Sequence, residues 1–169
     1  MNFQFRKGTR EDVEAFALFL DEIKAAMQQQ DWFYLDPADM VQSMMQDGIL
    51  EFWMAFYEGH LAAVFSILIP GLHSYNYGYD LDFSQEELLQ VVHMDTAAVH
   101  PDYRGFGLQG RMVQMAEQEF AGKGKRIFLS TVHPDNQYSL NNMLSQGYSV
   151  QKRVGKYGSE RLILQKEKF

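Results

Sequence analysis

The sequence predicts one α/β (α+β) domain spanning residues 1–169, and three observations carry that prediction. Between Val91 and Val132 an apolar strand, a glycine- and arginine-bearing turn, a helix and a second apolar strand follow one another, as in a right-handed βαβ unit. Two aromatic and β-branched runs, Glu51 to Tyr57 and Leu61 to Ile69, flank Glu58-Gly59-His60 and read as an antiparallel hairpin, so the sheet is mixed. The third observation is size: 169 residues at 46% apolar content suit one compact domain with an ample core.

The elements follow in order. Phe3-Gln4-Phe5-Arg6 alternates apolar and polar, as an opening strand does, and Thr9 with Asp12 forms a capping box for a helix running to about Gln30. Val13, Phe16, Ala17, Leu20, Ile23, Ala26 and Met27 recur at helical spacing and give that helix one buried face, read as plain core. Asp36-Pro37-Ala38-Asp39 predicts a short helix with Asp36 as cap and Gly48 as its stop. After the hairpin, Pro70-Gly71 breaks the strand, and Leu72 to Leu89 form an aromatic, acidic insertion whose Ser84 and Glu87 box a further short helix. Long loops inside compact domains are usually functional or disordered, which makes this insertion a substrate-loop candidate. The next elements are a strand from Val91 to Val99, a helix from Leu108 to about Ala121 and a strand from Ile127 to Val132. A helix starting at Asp135 or Asn136 and strands at Tyr148 to Val154 and Arg161 to Gln165 complete the chain.

The most specific chemistry lies in the turn from His100 to Arg111. The first N–H groups of a helix lack intrahelical partners, the helix dipole favours negative charge there, and glycine lets backbone approach a ligand, so the junction suits phosphate. A P-loop needs Lys and Ser or Thr after its last glycine, whereas Gly107 leads into Leu108 and Gln109. Gly105, Gly107 and Gly110 do fit a dinucleotide spacing, but the unit lies past mid-chain and no acid ends the following strand.

The same residues resemble motif A of the GNAT superfamily of acyl-CoA-dependent N-acetyltransferases, which reads Arg or Gln, two residues, Gly, one residue, then Gly or Ala. Arg104 and Gly107 match, Gln109 replaces the final small residue and Gly110 follows it, within Val-x-Pro-x-Tyr-Arg-Gly-x-Gly-Leu from Val99 to Leu108. Asn136-x-x-Ser139 running to Gly147-Tyr148 resembles a second family motif. Ile69-Pro70-Gly71-Leu72 with Tyr77-Gly78-Tyr79-Asp80, and Lys156-Tyr157-Gly158 before Arg161 to Leu164, look like a bacterial subgroup of unknown substrate.

The resemblance implies a central mixed, twisted sheet of about six or seven strands with helices on both faces. It implies acetyl-CoA as co-substrate, with backbone groups of Ala97, Ala98 and Val99 along the pantetheine arm. The pyrophosphate would take the amides of Arg104, Gly105, Phe106, Gly107, Leu108, Gln109 and Gly110, and Asn136 and Ser139 would line the coenzyme. Arg111 is a further basic residue there that reaches solvent equally well. The acceptor is then an amine of a small molecule or peptide, and a homodimer is common in the family.

Strand alternation places Val91, His93, Asp95 and Ala97 on one face. A neutral imidazole accepts a proton near pH 7, so His93 is the candidate base and Asp95 its orienter or amine anchor, with a structural pair as the alternative. Many family members carry a tyrosine acid seven residues after the motif asparagine, where this chain has Met143. That departure motivates the competing reading, a non-catalytic acyl-CoA-binding regulatory module. Trp32, Phe33, Tyr77, Tyr79 and Asp80 are the candidate acceptor residues.

Composition narrows the classes further. With no cysteine there is no disulfide framework, thiolate metal site or cysteine acyl-enzyme, and a reducing cytoplasm fits. No signal pattern and no apolar run near the roughly 18 residues of a membrane helix is present, so a soluble protein is expected. A net charge of −7 argues against nucleic acid as a partner while leaving room for a cationic substrate. The five histidines show no metal-ligand spacing, so no metal is expected.

Overall fold

Apolar alternation and helical stripes resolve into seven strands and five α-helices among the described residues, Met1–Lys168, of the computed structural model. The strand order is β1-β2-β3-β4-β5-β7-β6, a mixed sheet flanked by helices. The chain divides into two compact units, residues 1–68 with 95–113, and residues 69–94 with 114–169.

The first unit holds β1 (Gln4–Lys7), α1 (Val13–Ala25), α2 (Ala38–Gln46), β2 (Leu50–Tyr57), β3 (His60–Leu68) and the second half of β4 (Val91–Val99). β1 pairs antiparallel with β2 from Gln4↔Phe56 to Lys7↔Trp53, and β2 with β3 from Leu50↔Leu68 to Tyr57↔His60. The hairpin turns at Glu58 and Gly59, both at positive φ, the backbone that matches the twist of the flanking strands. Val13, Phe16, Phe19, Leu20 and Ile23 of α1 pack with Phe52, Met54, Val64, Leu68 and Ala98. α1 stops at Ala25 instead of about Gln30, because nothing after Ile23 is buried to hold another turn; Gln30–Trp32 forms a separate 3₁₀ turn. Pro37, not Asp36, is the cap of α2. A residue before proline is held extended, which sets Asp36 one position too far back to reach the helix amides.

The second unit contains the first half of β4, α3 (Gln85–Gln90), most of α4 (Leu108–Gly122), β5 (Ile127–Val132), α5 (Gln137–Ser145), β6 (Ser149–Lys156) and β7 (Ser159–Glu167). β4 and β5 run parallel through Val91↔Ile127, Val92↔Phe128 and His93↔Leu129, and β7 pairs antiparallel with both β5 and β6. Tyr77, Val91, Ile127, Leu129 and Ile163 form its core. The insertion is folded through Asn76, whose Nδ2 donates to Gly71 O at 2.7 Å and Leu88 O at 3.2 Å while its Oδ1 accepts from Gly78 N–H at 2.9 Å. Glu117 of α4 is fully buried, yet its carboxylate meets Nζ of Lys166 at 2.8 Å, Nζ of Lys168 at 2.9 Å and the Tyr148 hydroxyl at 2.8 Å. Pairing of this kind is what lets a charge stay inside a protein.

Candidate active site

The turn between β4 and α4 begins where His100 N–H donates to Ala62 O at 2.9 Å and Pro101–Tyr103 form one 3₁₀ turn. Gly105 and Gly107 then adopt φ of 83° and 69°, the left-handed region that glycine enters without strain. The first helical bond is Arg111 N–H to Gly107 O at 3.0 Å. No amide from Gly105 to Gly110 donates to an acceptor among the described residues, so the turn presents consecutive N–H groups at a helix N-terminus. Buried Leu108 anchors the helix, and the Phe106 ring lies 5.7 Å from that of Phe3, which also meets Tyr103 and Tyr57. Arg104 is exposed beside the amides. The Arg111 guanidinium stacks 4.5 Å from the Phe5 ring, which keeps it on β1.

β4 changes character along its length. Its ladder with β5 covers only Val91, Val92 and His93, so from Asp95 through Ala97, Ala98 and Val99 no residue has a β5 partner. The Ala98 side chain lies in the core of the first unit. Asn136 Oδ1 accepts from Ser139 N–H at 3.1 Å and caps α5, so both residues of the second motif meet at one helix start.

His93 is wholly buried: its Nε2 accepts from Tyr77 N–H at 3.2 Å, and the two rings stack at 3.9 Å and 7°. Its Nδ1 has no partner among the described residues. Burial, helped by the Lys156 charge, holds its pKa down to about 3, so the ring is neutral and its one lone pair, on Nε2, is already taken. Asp95 differs. Its Oδ2 accepts from Ser66 Oγ at 2.7 Å and Thr96 Oγ1 at 3.2 Å, and Ser66 Oγ in turn accepts from Thr96 N–H at 3.1 Å. Burial pushes the Asp95 carboxyl up to about 6, with the two hydroxyls opposing and Asp36 adding repulsion.

Asp95 and Thr96 line a pocket of about 190 Å³ within the first unit, with Ser66, Asp36 and Asp21 as other polar neighbours. Phe16, Leu20, Leu35, Val41 and Leu50 give it apolar walls. The residues singled out as acceptor contacts sit elsewhere. Trp32 is in the 3₁₀ turn after α1, and Phe33 packs against the core of the first unit. Tyr77 is buried, its hydroxyl bonded to that of Tyr157, and Tyr79 donates from its hydroxyl to Leu72 O at 2.9 Å. Asp80 is ion-paired with Lys156 at 2.8 Å. Met143, in the position of the family's acid, is buried core.

Sequence reasoning missed this pocket because Phe16, Leu20 and Val41 carry the same helical stripe whether they face core or cavity. One signal was present: Ser66 is a lone hydroxyl in an otherwise apolar strand, which implies a buried polar partner.

Strand order and the amide-lined turn define a mixed-sheet α+β protein with a run of unpaired amides after its fourth strand. The chain belongs to the GNAT acetyltransferase family, whose model matches residues 18–148. Solved structures share the fold at low identity. An N-acetyltransferase of Staphylococcus aureus Mu50 superposes with a TM-score of 0.73 at 11% identity over 99% of both chains. An acetyltransferase of Salmonella typhimurium, solved with its cofactor acetyl-CoA, gives 0.72 at 16% over 99% of this chain and 94% of that one. The PaiA N-acetyltransferase of Thermoplasma acidophilum, in complex with coenzyme A, gives 0.72 at 15% over 99% of this chain and 100% of its own. No curated protein matches the chain.

Proposed function

We propose that the protein, acting as one domain over residues 1–169, moves an acetyl group from acetyl-CoA directly to a primary amine of a small molecule or peptide. The observation that carries this reading is the run of unpaired amides from Gly105 to Gly110, which offers a pyrophosphate its donors at the start of α4. Relatives of the same fold that hold acetyl-CoA or coenzyme A support it. The open edge of β4 from Ala97 to Val99 suits a strand-like pantetheine arm, and its N–H groups suit the developing oxyanion. Arg104 adds charge at the phosphates, and Asn136 and Ser139 remain the coenzyme contacts proposed on α5.

Acetyl-CoA supplies a thioester whose acetyl carbon forms the new C–N bond as its C–S bond breaks. The proton acceptor is assigned to Asp95 and not to buried His93, whose Nε2 lone pair is held by the Tyr77 amide. An ammonium entering the pocket gives one proton to Asp95 and becomes the free amine; a second nitrogen proton leaves as the C–N bond forms and ends on the departing sulfur. A carboxyl near 6 is mostly ionised at neutral pH and still basic enough to assist. His93 holds the Tyr77 segment in place.

Met143 favours a second reading, a regulatory module that binds acyl-CoA without turnover. Calorimetric titration with acetyl-CoA, CoA and a longer acyl-CoA, followed by an amine panel read by thiol release, separates the two. Gly107→Glu, which puts a carboxylate among the amides, is expected to weaken acetyl-CoA at least about a hundredfold. Tight binding with no thiol release on any amine decides for the module, and undiminished binding by the variant removes the pyrophosphate assignment.

A further inference from the structure

Two carboxylates of the pocket lack a partner among the described residues, and of these Asp21 is exposed while Asp36 is drawn out of water. Asp36 is half-buried on the loop before α2, makes no hydrogen bond or ion pair among the described residues, and burial alone raises its pKa. A charge withdrawn from water is costly unless paired, and the described lining of the pocket provides no cation to pair it. The rest of the lining sharpens the point. Among the described residues of the lining, Asp21, Asp36 and Asp95 are the charged ones and there is no lysine, arginine or histidine, while the walls are Phe16, Leu20, Leu35, Val41 and Leu50. Asp95 is matched by the amine that reacts, and acetylation removes that positive charge. Asp36 remains, and its repulsion already acts on Asp95.

Resting on the acetyl-transfer reading, we propose that Asp36 is a specificity-determining residue selecting an acceptor with a second positive charge, held beyond the reacting amine by a short apolar spacer. The spacer lies along the apolar walls, and the second ammonium pairs with Asp36, with exposed Asp21 adding attraction from α1. A pocket of about 190 Å³ suits a small acceptor such as a short acyclic diamine. Acceptors bearing a carboxylate are excluded by repulsion from the same three side chains.

The test compares acetylation of butane-1,4-diamine with that of pentylamine, which has the same length but a methyl in place of the second ammonium. With saturating acetyl-CoA and thiol release as the readout, kcat/KM for the diamine is expected to exceed that for pentylamine at least about tenfold, a ratio that shrinks as salt rises. In Asp36→Asn the ratio falls to within about twofold of unity, with a thermal melt establishing that the variant is folded; the salt series on the unaltered protein tests the same ion pair if it is not. Equal kcat/KM for the two amines in the unaltered protein, or an unchanged ratio in folded Asp36→Asn, overturns the inference and leaves acetyl transfer standing. Turnover of neither amine by protein that acetylates another member of the amine panel overturns the inference alone, and no thiol release with any amine of the panel overturns both.

Discussion

The two halves of β4 place a polar residue each on the same strand face, and the two environments give those residues opposite properties. From Val91 to His93 the strand is paired with β5, and His93 is sealed beneath Tyr77, neutral, with its pKa pushed down to about 3. In Asp95 to Val99 the β5 partner is gone, and Asp95 looks into a pocket with its pKa pushed up to about 6. Burial disfavours charge in both cases, and the sign of the shift follows from whether the charged form is acid or base. What separates the two side chains is access: one lone pair is held by a backbone amide, while the carboxylate borders a cavity. Alternation along a strand tells which face a residue takes and nothing about what waits there.

Substitutions at each half test the contrast. Asp95→Asn is expected to have the largest effect, lowering kcat/KM for acetylation about 10² to 10⁴-fold and abolishing the fall in rate as pH drops through about 6. The same change has a second signature with opposite sign. Because the folded carboxyl holds its proton more tightly than the unfolded chain, stability declines as pH rises from about 4 to about 6, and the asparagine variant melts higher at neutral pH, by up to about 3 kcal/mol. A variant that is both slower and less stable contradicts the assignment.

His93→Ala is expected to cost about 2–4 kcal/mol in chemical denaturation, since it removes a ring stacked inside the core. It leaves the acid limb of the rate near 6 in place; loss of that limb would return the base role to His93. The neutral ring also sets a pH dependence. Its unfolded counterpart binds a proton below about 6.5 and the folded one does not, so the unaltered protein loses stability as pH falls from there toward 3, a loss the alanine variant lacks. Ser66→Ala is the mildest change. Removing the hydroxyl that favours ionised Asp95 moves the acid limb of the rate above 6, by up to about one unit, with roughly 1 kcal/mol of stability lost. An unmoved limb shows that another group titrates.

Much of this architecture was legible in the residues. β4 starts and stops at Val91 and Val99 as read, because its apolar run is bounded by a polar helix end and by Pro101. The turn was equally plain, since Gly105 and Gly107 occupy backbone that few other residues tolerate. β6 and β7 extend to Lys156 and from Ser159, farther than expected, because exposed polar ends carry no apolar signal and are held by pairing to a neighbour. The insertion reads as a substrate-loop candidate, but Tyr77 meets His93 across 16 residues of sequence, a distance at which no local pattern forecasts a stacked pair. Asp36 carried the composition of a helix cap, and only the extended backbone at Pro37 shows that it serves the pocket instead.

The buried carboxylate of α4 has a consequence for how the molecule is made. Glu117 leaves the ribosome well before Lys166, 49 residues later, and Lys168 follows later still. Until both lysines emerge, closing the second unit would strand a charge away from water, a penalty of about 3–5 kcal/mol when one partner of such a pair is missing. That unit therefore waits for nearly its last residue, whereas β1 to β3 and the first two helices are already synthesised. A ribosome stalled before residue 166 should display a chain whose early hairpin resists protease while α4 is still cut.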